Sequence, residues 1–344
     1  MTEQAELNVE KVVTAILNVI EKEREREIIS RRFGLFDRKE TLEQIGELLG
    51  ITRERVRQLE KAAVLRLKAQ AEQGKLPALA QVETTLAELL KTTGEAARIT
   101  ELGAKLTKEN TRVDQSRLTF LSKLCPSVVT IDENDFYYQG AAVATSYDDK
   151  KLKKQVETVV AAVKAIGEPT SIEKIAVEAK EENAEKVRAV ASLSKQLATL
   201  NKRWGLIKWP MVNPKNIRDK IYVILFENGK HMHFSEIAES IKGSDFKRKD
   251  VTMQAIHNEL IKDGRFVLVG RGIYALKEWG YKKGTVADVI TEVLKKANEP
   301  LHRDEIVKRV LKDRYVKETT ILLNLQGKAQ FKRVAKATYT LAEA

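Results

Sequence analysis

Cysteine is almost missing from this chain. Cys125 is the only one in 344 residues, which rules out an intrachain disulfide framework and a cysteine-rich zinc site and fits a reducing cytoplasm. Aromatic residues make up 6% and there are only six prolines and 17 glycines, a composition that favours helices over sheet sandwiches. Long apolar runs are also missing. The run Ile221-Tyr222-Val223-Ile224-Leu225-Phe226 is far short of the roughly 20 residues of a membrane span. The polar, acidic first ten residues do not read as a signal peptide. Phosphate-binding chemistry is lacking too. None of Gly74-Lys75, Gly229-Lys230 or Gly327-Lys328 is followed by Ser or Thr in the P-loop frame. Gly270-Arg271-Gly272 sits in a hairpin turn, not between strand and helix. His231 and His233 have no cysteine partner or close acidic residue and read as turn histidines. Cys125, before Pro126 at a helix end, reads as a small buried residue. The expectation is a cytoplasmic protein that is no enzyme and carries no cofactor or metal.

What is present is charge, unevenly placed. The net charge is +12. Residues 1–80 hold 15 basic and 14 acidic groups, residues 81–212 hold 20 and 18, and residues 213–344 hold 26 and 17. The excess of +9 in the last third is compatible with a polyanionic partner. The first 80 residues are close to neutral, so any nucleic-acid argument there rests on pattern.

The pattern is specific. Val9, Val12, Val13, Ile16, Leu17 and Ile20 recur at helical spacing and predict a helix over 8–21; a second is expected over 23–33, ended by Gly34. Thr41 with Gln44 three residues on reads as a capping box, opening a helix whose buried stripe is Leu42, Ile45, Leu48 and Leu49. Gly50 and Ile51 make a tight turn, and Thr52 caps a further helix over 53–71. In that helix Val56, Leu59, Ala63 and Leu67 point inward, which leaves Arg53, Glu54, Arg57 and Gln58 on the outward, N-terminal face. These residue types suit base edges: Arg for guanine, Gln for adenine, Glu for the cytosine amine. Thr41, Thr52, Arg55 and Lys61 are placed for phosphates.

These residues, from Arg24-Glu25-Arg26-Glu27 through Arg31-Arg32-Phe33-Gly34-Leu35 to Thr52-Arg53-Glu54-Arg55-Val56-Arg57-Gln58-Leu59-Glu60, closely resemble region 4 of primary sigma factors, the part that reads the promoter −35 element. The resemblance covers about the first 70 residues. It implies that Arg53, Glu54, Arg57 and Gln58 contact bases, and that the apolar surface of the domain docks on the β flap of bacterial RNA polymerase.

The rest of the chain repeats. Turns at Gly94-Glu95, Gly167-Glu168, Gly229-Lys230 and Asn298-Glu299 each follow an apolar helix and precede a second one. Third helices are expected over 114–123, 184–200, 251–262 and 317–325. Hairpins follow: Val128-Val129-Thr130-Ile131 with Phe136-Tyr137-Tyr138; a weak one at 205–209, spoiled by Pro210; 265–269 with 273–276; and 331–334 with 338–341. Three helices and a hairpin make the winged-helix plan. The expected fold is mainly α: a helix-turn-helix domain at 1–75, then modules at 81–147, 151–212, 214–282 and 284–344. The third module, through His233-Phe234-Ser235-Glu236-Ile237 and the stretch from Arg265 to Leu276 with Trp279, resembles the HARE-type winged helix, also found in the delta subunit of some bacterial RNA polymerases. Lys247, Arg248 and Lys249 precede its third helix and Arg271 sits at its wing tip. Lys328, Lys332, Arg333 and Lys336 cluster at the last wing. These are either phosphate contacts or a solvated basic face. The acidic turn Asp132-Glu133-Asn134-Asp135 of the first module would repel phosphate, so that module is expected to be a spacer or a protein contact.

The expected function is a DNA-binding transcription regulator with double-stranded DNA and RNA polymerase as partners. The alternative is a polymerase-binding adaptor or sigma competitor. Only about 20 residues precede the region 4-like stretch, so a complete sigma factor able to open promoters alone is not expected.

Overall fold

The computed structural model describes residues 7–248, 250–281 and 284–342. The fold is mainly α, with small antiparallel sheets. The chain divides into two compact units, one ending at Lys208 and one starting at Trp209.

The first unit opens with α1 (Val9–Asn18), α2 (Glu23–Phe33), α3 (Leu42–Leu49) and α4 (Arg53–Glu72). Helix α1 is shorter than the expected 8–21, because the Val19 and Ile20 amides turn back tightly onto the Ile16 and Leu17 carbonyls. Gly34 ends α2 in the left-handed conformation at φ 66°. The Thr41 capping box with Gln44 is formed, and Gly50 (φ 63°) ends α3. Thr52 accepts the Arg55 amide and starts α4. Ile28, Ile45 and Val56 are fully buried and make a small core of their own, flanked by Leu42, Leu49, Ile51 and Leu59. Leu48 does not belong to it and is 55% exposed. At 3.6 residues per turn it points about 90° away from the side shared by Leu42, Ile45 and Leu49.

Next come α5 (Leu79–Thr92), β1 (Ala96–Arg98), α6 (Ile99–Leu106), α7 (Arg112–Leu124), β2 (Val128–Ile131) and β3 (Gly140–Val143), with sheet order β1-β3-β2. The expected return strand at 136–138 is not one. The Asn134 side chain accepts the Phe136 and Tyr137 amides and folds that stretch into a turn. The same stretch bonds to the chain further on: the Tyr138 amide donates to Leu193 and the Lys195 amide to Phe136, both at 2.8 Å. The small residues Gly140, Ala141 and Ala142 take the central strand because it is buried on both faces. One apolar core runs unbroken from Val9 through Phe33 and Leu67 to Phe120 and Val143. Helix α7 is its centre. Arg117 to Ser122 are all buried, on every side of that helix, and Phe120 meets Phe33 edge-on at 5.0 Å.

The unit ends with α8 (Asp149–Ile166), α9 (Ile172–Glu178), α10 (Ala184–Ser192), β4 (Leu197–Leu200) and β5 (Arg203–Leu206). The expected helix over 184–200 stops at Ser192, and its last residues form β4. Asn201 and Lys202, both at positive φ, make the two-residue turn that suits a tight hairpin. Pro210 lies beyond this hairpin and spoils nothing.

The second unit holds α11 (Ile217–Asn228), β6 (Met232–His233), α12 (Phe234–Gly243), α13 (Met253–Lys262), β7 (Phe266–Gly270), β8 (Ile273–Leu276), α14 (Val286–Ala297), β9 (Leu301–His302), α15 (Arg303–Asp313), α16 (Glu318–Gly327), β10 (Phe331–Ala335) and β11 (Thr338–Leu341). Sheet orders are β6-β8-β7 and β10-β11-β9. The short strand after each repeated turn, unseen in the sequence, joins the second strand of the hairpin that follows. In the weak second repeat it shrinks to the Thr170–Trp204 bridge. The two halves of this unit meet where the Tyr315 amide donates to Val269 and the His231 ring lies 4.0 Å from Tyr315.

The four third helices differ. Five residues of α10 are buried, and α10 packs against β1 of the preceding repeat. In contrast, α13 buries only Ile256 and Leu260, and α16 only Ile321 and Leu325. Helices α7, beyond its first turns, and α10 are largely used up in packing; α13 and α16 leave a broad face open among the described residues.

Candidate nucleic-acid interface

The first turns of α4 project a polar patch. Arg53, Glu54, Arg57 and Gln58 are all exposed, as are Thr41, Thr52, Arg55 and Lys61. The two threonines hold the patch in place. Each hydroxyl accepts a backbone amide, Gln44 for Thr41 and Arg55 for Thr52, both at 3.2 Å, and keeps its own proton to donate.

Glu54 is the hub of the patch. Arg57 Nε and Nη2 donate to its two oxygens at 2.8 and 2.7 Å, a bidentate pair that fixes the guanidinium plane. Gln58 Nε2 reaches it at 3.5 Å, and Gln58 Oε1 accepts Arg55 at 3.3 Å. These bonds, Arg57 first, hold the Glu54 carboxyl below the usual range and raise Arg57 in turn. Arg53 donates to Glu43 at 3.1 Å, across the turn to the start of α3. The Glu43 carboxyl is lowered by its own backbone amide and then by Arg53. Glu43 did not stand out in the sequence, although its place in the first turn of α3 was the available signal. The four expected base-reading groups thus share one end of one helix. Glu54, Arg57 and Gln58 bond to one another and Arg53 bonds to Glu43.

The other expected contacts lie in the second unit. Lys247 and Arg248 are exposed before α13; Arg248 has a positive φ of 56° and its carbonyl accepts the buried Lys220 ammonium at 2.6 Å. Lys249 lies outside the described residues. Arg271 is exposed in the β7–β8 turn, and Lys328, Lys332, Arg333 and Lys336 are exposed along and around β10. Arg333 also donates to the Ala335 carbonyl at 3.1 Å.

Burial pushes the Cys125 thiol up to about 12, away from nucleophilic use. His233 caps α12 by accepting the Ser235 amide at Nδ1, which also lies 2.7 Å from the Ser235 hydroxyl, and the His231 ring lies tilted against Tyr315. Among the described residues no cluster of three or more His, Cys, Asp or Glu is arranged to hold a metal, and no helix is long and apolar enough to cross a membrane.

Residues 22–69, the stretch that builds this patch, match the family model of Sigma-70, region 4. The chain is 52% identical over 46 residues to RNA polymerase sigma factor sigB of Arabidopsis thaliana, which is 13% of this chain and 8% of that one. It is 41% identical over 71 residues to RNA polymerase sigma factor RpoD of Helicobacter pylori, 20% and 10% of the two chains, and 49% over 47 residues to RNA polymerase sigma factor SigA of a Bacillus species, 13% and 12%. The chain therefore spans about a tenth of the length of these relatives, and the likeness concerns the helix-turn-helix segment.

Proposed function

We propose that this protein is a non-enzymatic, cytoplasmic DNA-binding transcription regulator that recognises a −35-type promoter element through α4 and acts with bacterial RNA polymerase. The observation that carries this reading is the capped N-terminal end of α4 presenting Arg53, Glu54, Arg57 and Gln58 together, within the segment that matches sigma region 4. Thr41, Thr52, Arg55 and Lys61 then fall to phosphates. The bidentate Glu54–Arg57 pair supports base reading, because it prealigns the guanidinium that a guanine edge would receive.

The later repeats fit winged-helix modules at 81–147, 151–212, 214–282 and 284–344, the third of HARE type. Packing divides their roles. With α7 and α10 buried, the first two serve as scaffold. The open α13 and α16, with Lys247, Arg248, Arg271, Lys332 and Arg333 nearby, leave the last two free to touch DNA.

A second reading, a polymerase-docking adaptor, has one observation in its favour. A groove of about 270 Å³ beside α4 is lined by Phe33, Val64 and the exposed Leu65 between Lys61, Lys68 and Lys123. It suits an apolar helix such as one from the β flap.

Fluorescence anisotropy separates the two readings, with duplexes carrying a −35-type element or a scrambled sequence, wild type against Arg57→Ala. Loss of one bidentate base contact is expected to weaken the specific duplex about ten- to a hundredfold and to leave the scrambled one almost unchanged. Equal binding of both duplexes, insensitive to Arg57→Ala, would hand the case to the adaptor.

A further inference from the structure

Beside the helix-turn-helix lies a cleft of about 800 Å³ that no role above uses. One wall is the loop before α3, with Arg38 and Lys39. The other is the first turns of α7 with Arg112 and Ser116, and the base carries Arg98 and Tyr138. Four cations converge there against two carboxylates, Asp37 and Glu133. Glu133 is already taken by Lys195 at 2.8 Å. Its neighbour Asp132, in the turn that was expected to repel phosphate, is neutralised by Lys123 at 2.9 Å. Arg98 lies over the Tyr138 ring at 3.9 Å and donates to the Ser192 carbonyl, so it is held in place. Arg38, Lys39 and Arg112 make no hydrogen bond or ion pair among the described residues, and burial of the Lys39 ammonium lowers its pKa. Arg53, Arg57 and Arg188 of the same unit, in contrast, are paired with carboxylates. Unpaired cations gathered in a concavity focus a positive potential that suits an anion.

The position of the cleft identifies the anion. Lys39 stands two residues before Thr41, the cap of α3, and the first turn of α3 is tied through Glu43 to Arg53 at the reading end of α4. The cationic cleft and the base-reading patch are thus neighbours through α3. We propose that this cleft holds the sugar–phosphate backbone of the same duplex just beyond the −35-type element, with Arg38, Lys39 and Arg112 as phosphate contacts. Arg112 belongs to α7, so the first repeat, whose third helix is too buried to read bases, still contributes to DNA binding. The inference rests on the reading of α4 as a DNA contact.

The test is anisotropy across a salt series with the full-length Arg38→Ala/Arg112→Ala variant. Both side chains are exposed and unpaired, so the fold is kept, which circular dichroism checks. Two specific duplexes are used, one ending at the element and one extended by about one helical turn, roughly 10 bp, on each side. On the extended duplex the variant is expected to bind about tenfold more weakly at low salt. Its slope of log affinity against log salt should fall by about 2, since each phosphate contact contributes roughly 0.9. The short duplex and the ratio of specific to scrambled binding should be unchanged. Wild-type affinity and slope on the extended duplex would overturn the proposal, and so would an equal loss on both duplexes. The α4 reading fails separately, by a wild type that does not distinguish specific from scrambled DNA.

Discussion

At the residue scale the proposed base-reading patch is a set of paired charges. Arg57 is satisfied by Glu54, and because the pair is exposed it is screened by solvent and contributes little to stability. Its pH behaviour follows from the direction of the Glu54 shift. A carboxyl whose pKa is lowered in the folded protein contributes fully above its unfolded value, near 4.3, and is lost only as pH falls through the lower folded value. The four histidines, His231, His233, His257 and His302, all lie beyond residue 208. The first unit therefore contains no histidine to titrate near neutrality. The ratio of specific to scrambled DNA binding should stay flat from about pH 5.5 to 7.5, as measured by anisotropy in a buffer series. A several-fold change over that window would mean that a histidine of the second unit takes part in base reading.

At the scale of elements, the turn between α3 and α4 sets the angle at which α4 leaves α3, and with it the direction in which the proposed reading end points. Gly50 ends α3 at positive φ, as its position suggested, but Gly46 is the tighter constraint. A Cβ at Gly46 would stand 2.6 Å from the Ile51 carbonyl oxygen, a backbone atom that cannot swing aside. Alanine is the better helix former by about 1 kcal/mol, yet overpacking of this kind costs about 1–3 kcal/mol. Gly46→Ala is therefore expected to lower the thermal midpoint, read by circular dichroism, and to weaken −35 recognition with it. A raised midpoint would show that the turn can open to admit the methyl.

At the scale of the molecule, the helix-turn-helix segment does not stand alone. Its Phe33 packs on Phe120, 87 residues further along the chain and fully buried. Truncating a buried aromatic costs about 3–5 kcal/mol. Phe120→Ala is expected to destabilise the first unit as one body, so that DNA binding and the circular dichroism signal of this unit are lost in a single transition on heating. Retention of −35 binding after the rest of the unit has melted would mean that residues 7–75 are stable without α7. The same packing distinguishes repeats of one plan. Third helices α7 and α10 bury most of their length in a neighbouring core, while α13 and α16 keep a broad exposed face.

The sequence by itself determined whatever depends on neighbours a few residues apart. The Thr41–Gln44 box, the Thr52 cap, the left-handed Gly50 and the outward set Arg53, Glu54, Arg57 and Gln58 follow from helical spacing and capping chemistry, which act within a turn or two. The repeating order of helices and hairpins was legible for the same reason. Only the tertiary structure decided what depends on distant partners. Leu48 is left outside the small core. The stretch at 136–138 bonds to residues 193–195 instead of closing its own hairpin, and 197–200 is drawn out of a helix to pair with 203–206. Helix α7 is buried on all sides from Arg117 to Ser122, and Arg38, Lys39 and Arg112 come together from separate elements. Each of these outcomes sets one hydrogen bond or apolar contact against another far away in the chain, and local periodicity carries no information about which of them wins.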